Sequence, residues 1–284
     1  MPVSIMKNLR EKLSRSFKRR LAKALLPMSV LPTKLVLRKK SPLQILVDSS
    51  VLAHGITHEG GRISTGSVMW GGKVEVPTGY LAKIPVHAPS NDTQLYNEVQ
   101  YLAGIAHLAR TGYLKLCTSA ELKAEQFRQP IGRFQGYGYA DHNVFSGIKF
   151  ESIDGFKLDL NNPKQAQLDR IASCNDPRYQ ALLANFGQKQ SLDAYHIYTA
   201  EKFGLFAFLH IDFKLDGSLQ RKSKAMPFEN LKTRVLLPSQ FAKMINLLPV
   251  HTNLLTLGDD DTFFPTRADL HSQDQKRHRP KCKA

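Results

Sequence analysis

The chain is poor in cysteine, has one tryptophan and has no long apolar run. Its three cysteines, Cys117, Cys174 and Cys282, are far apart. They form neither a disulfide framework nor a CxxC metal knuckle, so the expected setting is a reducing one, cytoplasmic in location. No stretch approaches 18 consecutive apolar residues, which excludes an ordinary membrane-spanning helix. A GxSxG elbow is missing, which argues against a serine hydrolase, and a GxxxxGK[ST] loop is missing, which argues against a P-loop nucleotidase. Acidic residues are scarce as well, with 24 Asp and Glu against 40 Lys and Arg, for a net charge of +16.

That charge is unevenly spread. Residues 1–40 carry twelve Lys or Arg against Glu11, and residues 271–284 carry five against Asp274, which leaves the 230 residues between them at +1. A nearly neutral body with two basic ends suits polyanionic partners. In the N-terminal segment Leu9, Leu13, Phe17, Leu21 and Leu25 recur four apart. This spacing predicts an amphipathic basic helix ending before Pro27. Nucleic acid, a membrane surface, a transit function or packing on the body all fit it. A secretory signal does not, because no uninterrupted apolar stretch follows the charges. The expected organisation is a basic arm over 1–40, a body over 41–250 with insertions near 56–91 and 128–175, and a flexible basic tail over 251–284.

Within the body, strand-like and helix-like segments alternate. Strands are expected at the start of "LQILVDSSVLA", at 113–119, at 205–212 and at the start of "RVLLPSQFAKMINLL"; helices at 92–112, after Ser119, in "DPRYQALLANFG", at 191–204 and after Pro238. This pattern predicts an α/β fold, a three-layer α/β/α sandwich with a central parallel sheet. Working sites in such folds lie beyond the carboxyl ends of the strands. There, "ILVDSSVLAHG" ends an apolar strand on Asp48, and "LFAFLHID" ends another on Asp212. Glu121 and Glu125 share a helix face, and Asp193 opens a further helix. Acids converging on one edge repel unless cations neutralise them, and such oxygen-rich sites take Mg²⁺ or Mn²⁺. A pair of such ions about 3.5–4 Å apart suits phosphodiester hydrolysis.

These segments resemble the motifs of PIN-domain nucleases over roughly residues 42–248. "ILVDSSVLAHG" resembles the first motif, and "LCTSAELKAEQ" the second, whose spacing selects Glu125 over Glu121. "LDAYHIYTAEKFGLFAFLHID" resembles the third and fourth, and "VLLPSQFAKMI" the closing strand and helix. The resemblance implies a PIN-like, Mg²⁺- or Mn²⁺-dependent endoribonuclease, akin to the toxin-type members. Asp48, Glu125, Asp193 and Asp212 would be the catalytic metal ligands, and Ser50 would position a ligand or a water. His210 stands where many members have Thr or Ser. The alternative it leaves open is a PIN-like RNA-binding or ribosome-associated module without turnover. Partners compatible with the resemblance are RNA, an antitoxin, the ribosome or a second copy of the chain.

Three further stretches bear on substrate. "RKSKAMPF", with Arg221, Lys222 and Lys224, is expected to place a basic turn near the crevice for a phosphate backbone, and His210 is a candidate phosphate contact. "GRFQGYGYADHN" sets Phe134, Tyr137 and Tyr139 among glycines beside Arg133, a composition that suits base stacking or a plain surface loop. His54 and His58, four apart, are a candidate metal pair, with ordinary surface histidines as the alternative.

Overall fold

The computed structural model describes residues 24–38, 41–136, 141–155, 162–223, 226–255 and 262–263. Its elements, in chain order, begin with α1 (Leu31–Leu37), β1 (Leu43–Val47), α2 (Ser49–His54), β2 (Ile56–Trp70) and β3 (Val74–Pro85). Next come α3 (Thr93–Val99), α4 (Leu102–Arg110), β4 (Leu114–Thr118), α5 (Ala120–Phe127) and α6 (Gly132–Gln135). The short strands β5 (His142–Asn143) and β6 (Glu151–Ser152) lead to α7 (Pro163–Ala172), α8 (Pro177–Phe186) and α9 (Ser191–Lys202). The chain closes with β7 (Ala207–Leu209), α10 (Phe213–Lys222), β8 (Arg234–Leu236), α11 (Pro238–Ile245) and β9 (Thr262–Phe263).

Five strands form one sheet in the order β6-β4-β1-β7-β8, with every neighbouring pair parallel. Side chains alternate across a strand, and β1 feeds both faces. Ile45 and Val47 join one buried cluster with α4, α11 and α1, through Leu102, Ile105, Phe241, Ile245 and Leu37. Leu46 joins the other, with Tyr179 and Leu182 of α8, Ile197 of α9 and Leu122 of α5. The fold is therefore a three-layer α/β/α sandwich around a parallel sheet. Burial on both faces explains why β1 is continuously apolar from Ile45 to Val47.

The strand order also locates the crevice. From β1 the chain passes to β4 on one side, while from β7 it passes to β8 on the other. The direction of winding thus switches between β1 and β7, and a crevice opens there at their carboxyl ends. The Asp48 N–H donates to the Leu209 carbonyl at 2.9 Å, so the two strand ends are tied together.

Three departures from the expected elements have physical causes. The helix anticipated over 92–112 is two helices, because the Gln100 carbonyl accepts from Val250 N at 3.0 Å and leaves the helical ladder. Gly104 in α4 lies under Leu247, where an added Cβ would meet Cδ1 at 2.8 Å. Residues 56–85 form a long antiparallel hairpin whose Gly71 and Gly72 have φ of +59° and +68°, the conformation of a primed two-residue turn. With β5 and β9 it makes a second, antiparallel sheet of order β5-β2-β3-β9. Finally, the segment up to residue 40 is not wholly an arm. Val30, Thr33 and Leu37 are buried in the body, and of this segment residues 1–23 and 39–40 lie outside the described part. The predicted arm helix around Leu9, Leu13, Phe17 and Leu21 belongs to that undescribed stretch. Among the described residues no helix is long and apolar enough to cross a membrane.

Candidate metal centre

Asp48 follows β1 as the N-cap of α2, in extended conformation, and its carboxylate accepts from the Ser50 N–H at 2.9 Å and from the Ser50 hydroxyl. Helix α2 can start there because Asp supplies an acceptor to an otherwise orphaned N–H. Ser50 Oγ in turn accepts from Ile211 N at 3.0 Å. One serine therefore fixes the Asp48 carboxylate and braces the segment leaving β7.

Glu125 comes from α5, which Ser119 caps by accepting from Leu122 N at 3.3 Å. Its two oxygens are separately engaged: Oε2 accepts from Ser49 Oγ and Oε1 from His196 Nε2, each at 2.9 Å. His196 is a buried residue of α9, one helical turn after Asp193, so the two share a face. Ligand atoms of Asp48, Glu125 and His196 all lie within 4.8 Å of one another.

The electrostatics follow from this crowding. Burial pushes the Glu125 carboxyl up, but the hydrogen bond and charge of His196, with Ser49 and Arg128, outweigh it and leave the group lowered. Burial likewise disfavours the His196 imidazolium, yet Glu125, Asp48 and Asp193 raise it overall. The two directions agree: each group favours the charged form of the other, a carboxylate on Glu125 and an imidazolium on His196. Asp193 has no such partner to itself. Burial first, then Asp212, Asp48 and Glu125, raise its carboxyl to about 6 although His196 pulls the other way.

Of the four expected ligands, Asp48 and Glu125 are in the close group. Asp193 is coupled to it electrostatically, and Asp212 chiefly caps α10, its Oδ1 accepting from Lys214 N at 2.7 Å and Leu215 N at 3.1 Å. His196 takes the third place, which sequence reasoning missed; its spacing from Asp193 was the available signal. Glu121, one turn before Glu125, faces elsewhere, its Oε1 2.5 Å from Arg170 Nε in a partly buried ion pair.

The expected substrate contacts fare differently. His210 is buried, stacked on Phe208, with Nδ1 accepting from Asp212 N and Nε2 without a partner among the described residues; it is not an exposed phosphate contact. Arg221 and Lys222 sit in the last turn of α10, the helix that Asp212 opens. Ten residues at 1.5 Å each carry them about 15 Å along the axis from that cap, so the basic turn lies away from the crevice. Lys222 bonds the Asn185 carbonyl at the end of α8. Lys224 lies outside the described residues, as do Tyr137 and Tyr139. His54 and His58 do not share a helix: His54 ends α2, its imidazole lowered to about 4, chiefly by burial, and His58 is buried in β2.

Beside the cluster opens a cleft of about 220 Å³ lined by Ser49, Glu125, Arg128, Gln129, Arg133 and Phe134. The donor set fits a hard divalent cation: two carboxylates supply oxygen, an imidazole supplies nitrogen, and neighbouring acids oppose one another's ionisation. Mn²⁺ accepts such a mixed set and Mg²⁺ its oxygen members. The chain matches no protein-family model, and neither a curated protein nor a solved structure is significantly similar to it.

Proposed function

We propose that the chain is a PIN-like, Mg²⁺- or Mn²⁺-dependent endoribonuclease. The observation that supports this most strongly is the meeting of Asp48, Glu125 and His196 within 4.8 Å at the switch point of a parallel sheet. A bound cation would polarise the scissile phosphate and lower the pKa of an attacking water. Asp48 and Glu125 would present their oxygens to it, and His196 would give up its hydrogen bond to Glu125 to offer Nε2. Ser49 and Ser50 fix the orientation of both carboxylates, so little reorganisation is left for the moment of binding. Asp193, whose ionisation is opposed by three acids, is the group that gains most from a cation. Such a metal-activated water attacks in line, so the arrangement needs no covalent intermediate.

A second reading is an RNA-binding module without turnover. It draws on the two protein partners that already satisfy Glu125, Ser49 and His196, which let the site fold without a cation. Full-length protein incubated with single-stranded RNA in Mn²⁺, in Mg²⁺ and in EDTA separates the two. Metal-dependent cleavage that Asp48→Asn abolishes supports the enzyme. Binding in EDTA with no cleavage under any metal supports the module.

A further inference from the structure

The cleft beside the cluster has two unlike walls. One is Ser49 and Glu125, part of the candidate metal centre. The other carries two arginines and an aromatic ring from the stretch that follows α5. Arg128 caps the end of that helix. Its Nε donates to the Ala124 carbonyl at 3.2 Å and its Nη2 to Gln167 Oε1 at 2.6 Å. Arg133 Nη1 donates to Gln129 Oε1 at 2.9 Å. Both guanidinium groups are thus oriented by neutral oxygens, and among the described residues neither has a carboxylate within ion-pair distance, although the charge of Arg128 reaches Glu125. Elsewhere Arg170 and Arg178 are matched to Glu121 and Glu201. An amide fixes the direction of an arginine without neutralising it, so its charge stays available to an anion. Phe134 is half-buried, packs in part against the apolar core and lines the same cleft. Asn143 bonds the Phe134 carbonyl and so fixes the short helix that carries the ring.

An anion alone would not call for the ring, and an apolar ligand would not call for two unpaired cations. A nucleotide has both a phosphate and a flat π-face. In a duplex that face is covered by its neighbours in the stack, so only an unpaired base can lie on a protein ring. We propose that this cleft is a subsite for one unpaired nucleotide of a single-stranded RNA adjoining the scissile bond. Arg128 and Arg133 take its phosphate and Phe134 its base. The adjoining position rests on the nuclease reading of the cluster. The subsite itself rests on the far wall and makes the chain selective for single strands over duplexes.

The test is binding of a fluorescent single-stranded oligoribonucleotide, and of the same sequence as a duplex, to the full chain in EDTA at several salt concentrations. Arg133→Gln, whose side chain is exposed and among the described residues bonds Gln129, should reduce the slope of log affinity against log salt by about 0.7 on the single strand. Arg128→Gln should do the same; Arg128→Lys, which keeps the charge, should restore the slope if loss of the Gln167 bond has not harmed the fold. Phe134→Ala should weaken single-strand binding by about 5- to 150-fold, the loss expected of one stacked base, and leave the slope and duplex binding as they were. Uridine monophosphate should displace the oligonucleotide better than inorganic phosphate does. Variants that bind like wild type, single-strand and duplex binding that fall together, or phosphate competing as well as the nucleotide would each overturn the subsite. If these effects appear but no metal supports cleavage, the nuclease reading fails and the subsite stands. If wild type cleaves in Mn²⁺ and the variants change neither slope nor KM, the subsite fails and the nuclease reading stands.

Discussion

Removing the charge of Asp193 should make the metal-free protein more stable, and the size of the gain follows from its surroundings. Burial and the acids Asp212, Asp48 and Glu125 raise its carboxyl from 3.8 to about 6. The folded state therefore binds this proton more tightly than the unfolded chain. Such a group contributes stability below the unfolded pKa and loses it as pH rises through the folded value. At 1.36 kcal/mol per unit, ionising Asp193 costs the folded state about 3 kcal/mol above pH 6, and nothing below about pH 4. Screening at its partly exposed edge brings the figure towards about 2 kcal/mol. For a domain of this size that is a rise in Tm of roughly 4–12 °C for Asp193→Asn at pH 8 in EDTA.

The assay is thermal or urea unfolding of wild type and Asp193→Asn in EDTA across pH 4 to 8. The two curves should coincide near pH 4 and separate through pH 6, the wild type falling away. Mn²⁺ should close the gap at pH 8, because a cation offsets the repulsion that the mutation removes. His196 adds a fall of the same sign in both proteins, since its raised imidazole stabilises the folded state below the ordinary histidine pKa and loses that contribution as pH climbs. Curves that run parallel, or a mutant less stable than wild type at pH 8, would refute the argument. They would mean that Asp193 has a structural partner.

Three other outcomes are expected. Asp48→Asn should abolish metal-dependent RNA cleavage without lowering the Tm in EDTA, because the amide oxygen can still cap α2; a large fall in Tm would make Asp48 a structural residue. Glu125→Gln should weaken Mn²⁺ binding, read by calorimetry, while leaving the Arg170 ion pair intact; Glu121→Gln should leave Mn²⁺ binding and instead cost about 1.5–3 kcal/mol of stability through the weakened, partly buried pair. Deleting residues 1–23, which carry eight Lys or Arg against one acid, should flatten the salt dependence of RNA binding and leave the fold intact, whereas deleting 1–40 should lower the Tm by exposing the core around Val30 and Leu37; equal Tm values for the two truncations would show that α1 contributes no packing.

The sandwich was legible because its strands are apolar on both faces and its helices have clear caps. Ser119, Asp176 and Gly204 stand at the ends where the sequence places them. The hairpin was not, since β2 is rich in Gly, Ser and Thr and its side chains face solvent over much of its length, up to Trp70 at 73% exposed. Its one strong local signal is the Gly71–Gly72 pair between two β-branched runs. The crevice acids were readable from their places at strand ends and helix starts. Their division of labour was not, because it depends on what lies across the sheet. Lys222 looked well placed by chain distance, but a ten-residue helix separates it from Asp212.

The two glutamates of α5 show what decides that division. Glu121 and Glu125 are one turn apart on one helix, and both are paired with a cation. Arg170 cannot lose its proton in a protein, so Glu121 is bound to a fixed charge and serves the packing of α5 on α7. His196 can. Its imidazolium, favoured by the neighbouring acids, would neutralise Glu125 in the absence of metal, and the same nitrogen would serve as a ligand once the proton leaves. Exchanging that proton for a divalent cation keeps Glu125 paired throughout, so the core need not rearrange when the charge is replaced. Cation uptake should accordingly release protons, from Asp193 near and below pH 6 and from His196 below its raised value. Calorimetry of Mn²⁺ binding in two buffers of different ionisation enthalpy measures that release. Identical heats in both buffers would mean that no proton leaves, and that Glu125 and His196 form a permanent pair, as Glu121 and Arg170 do.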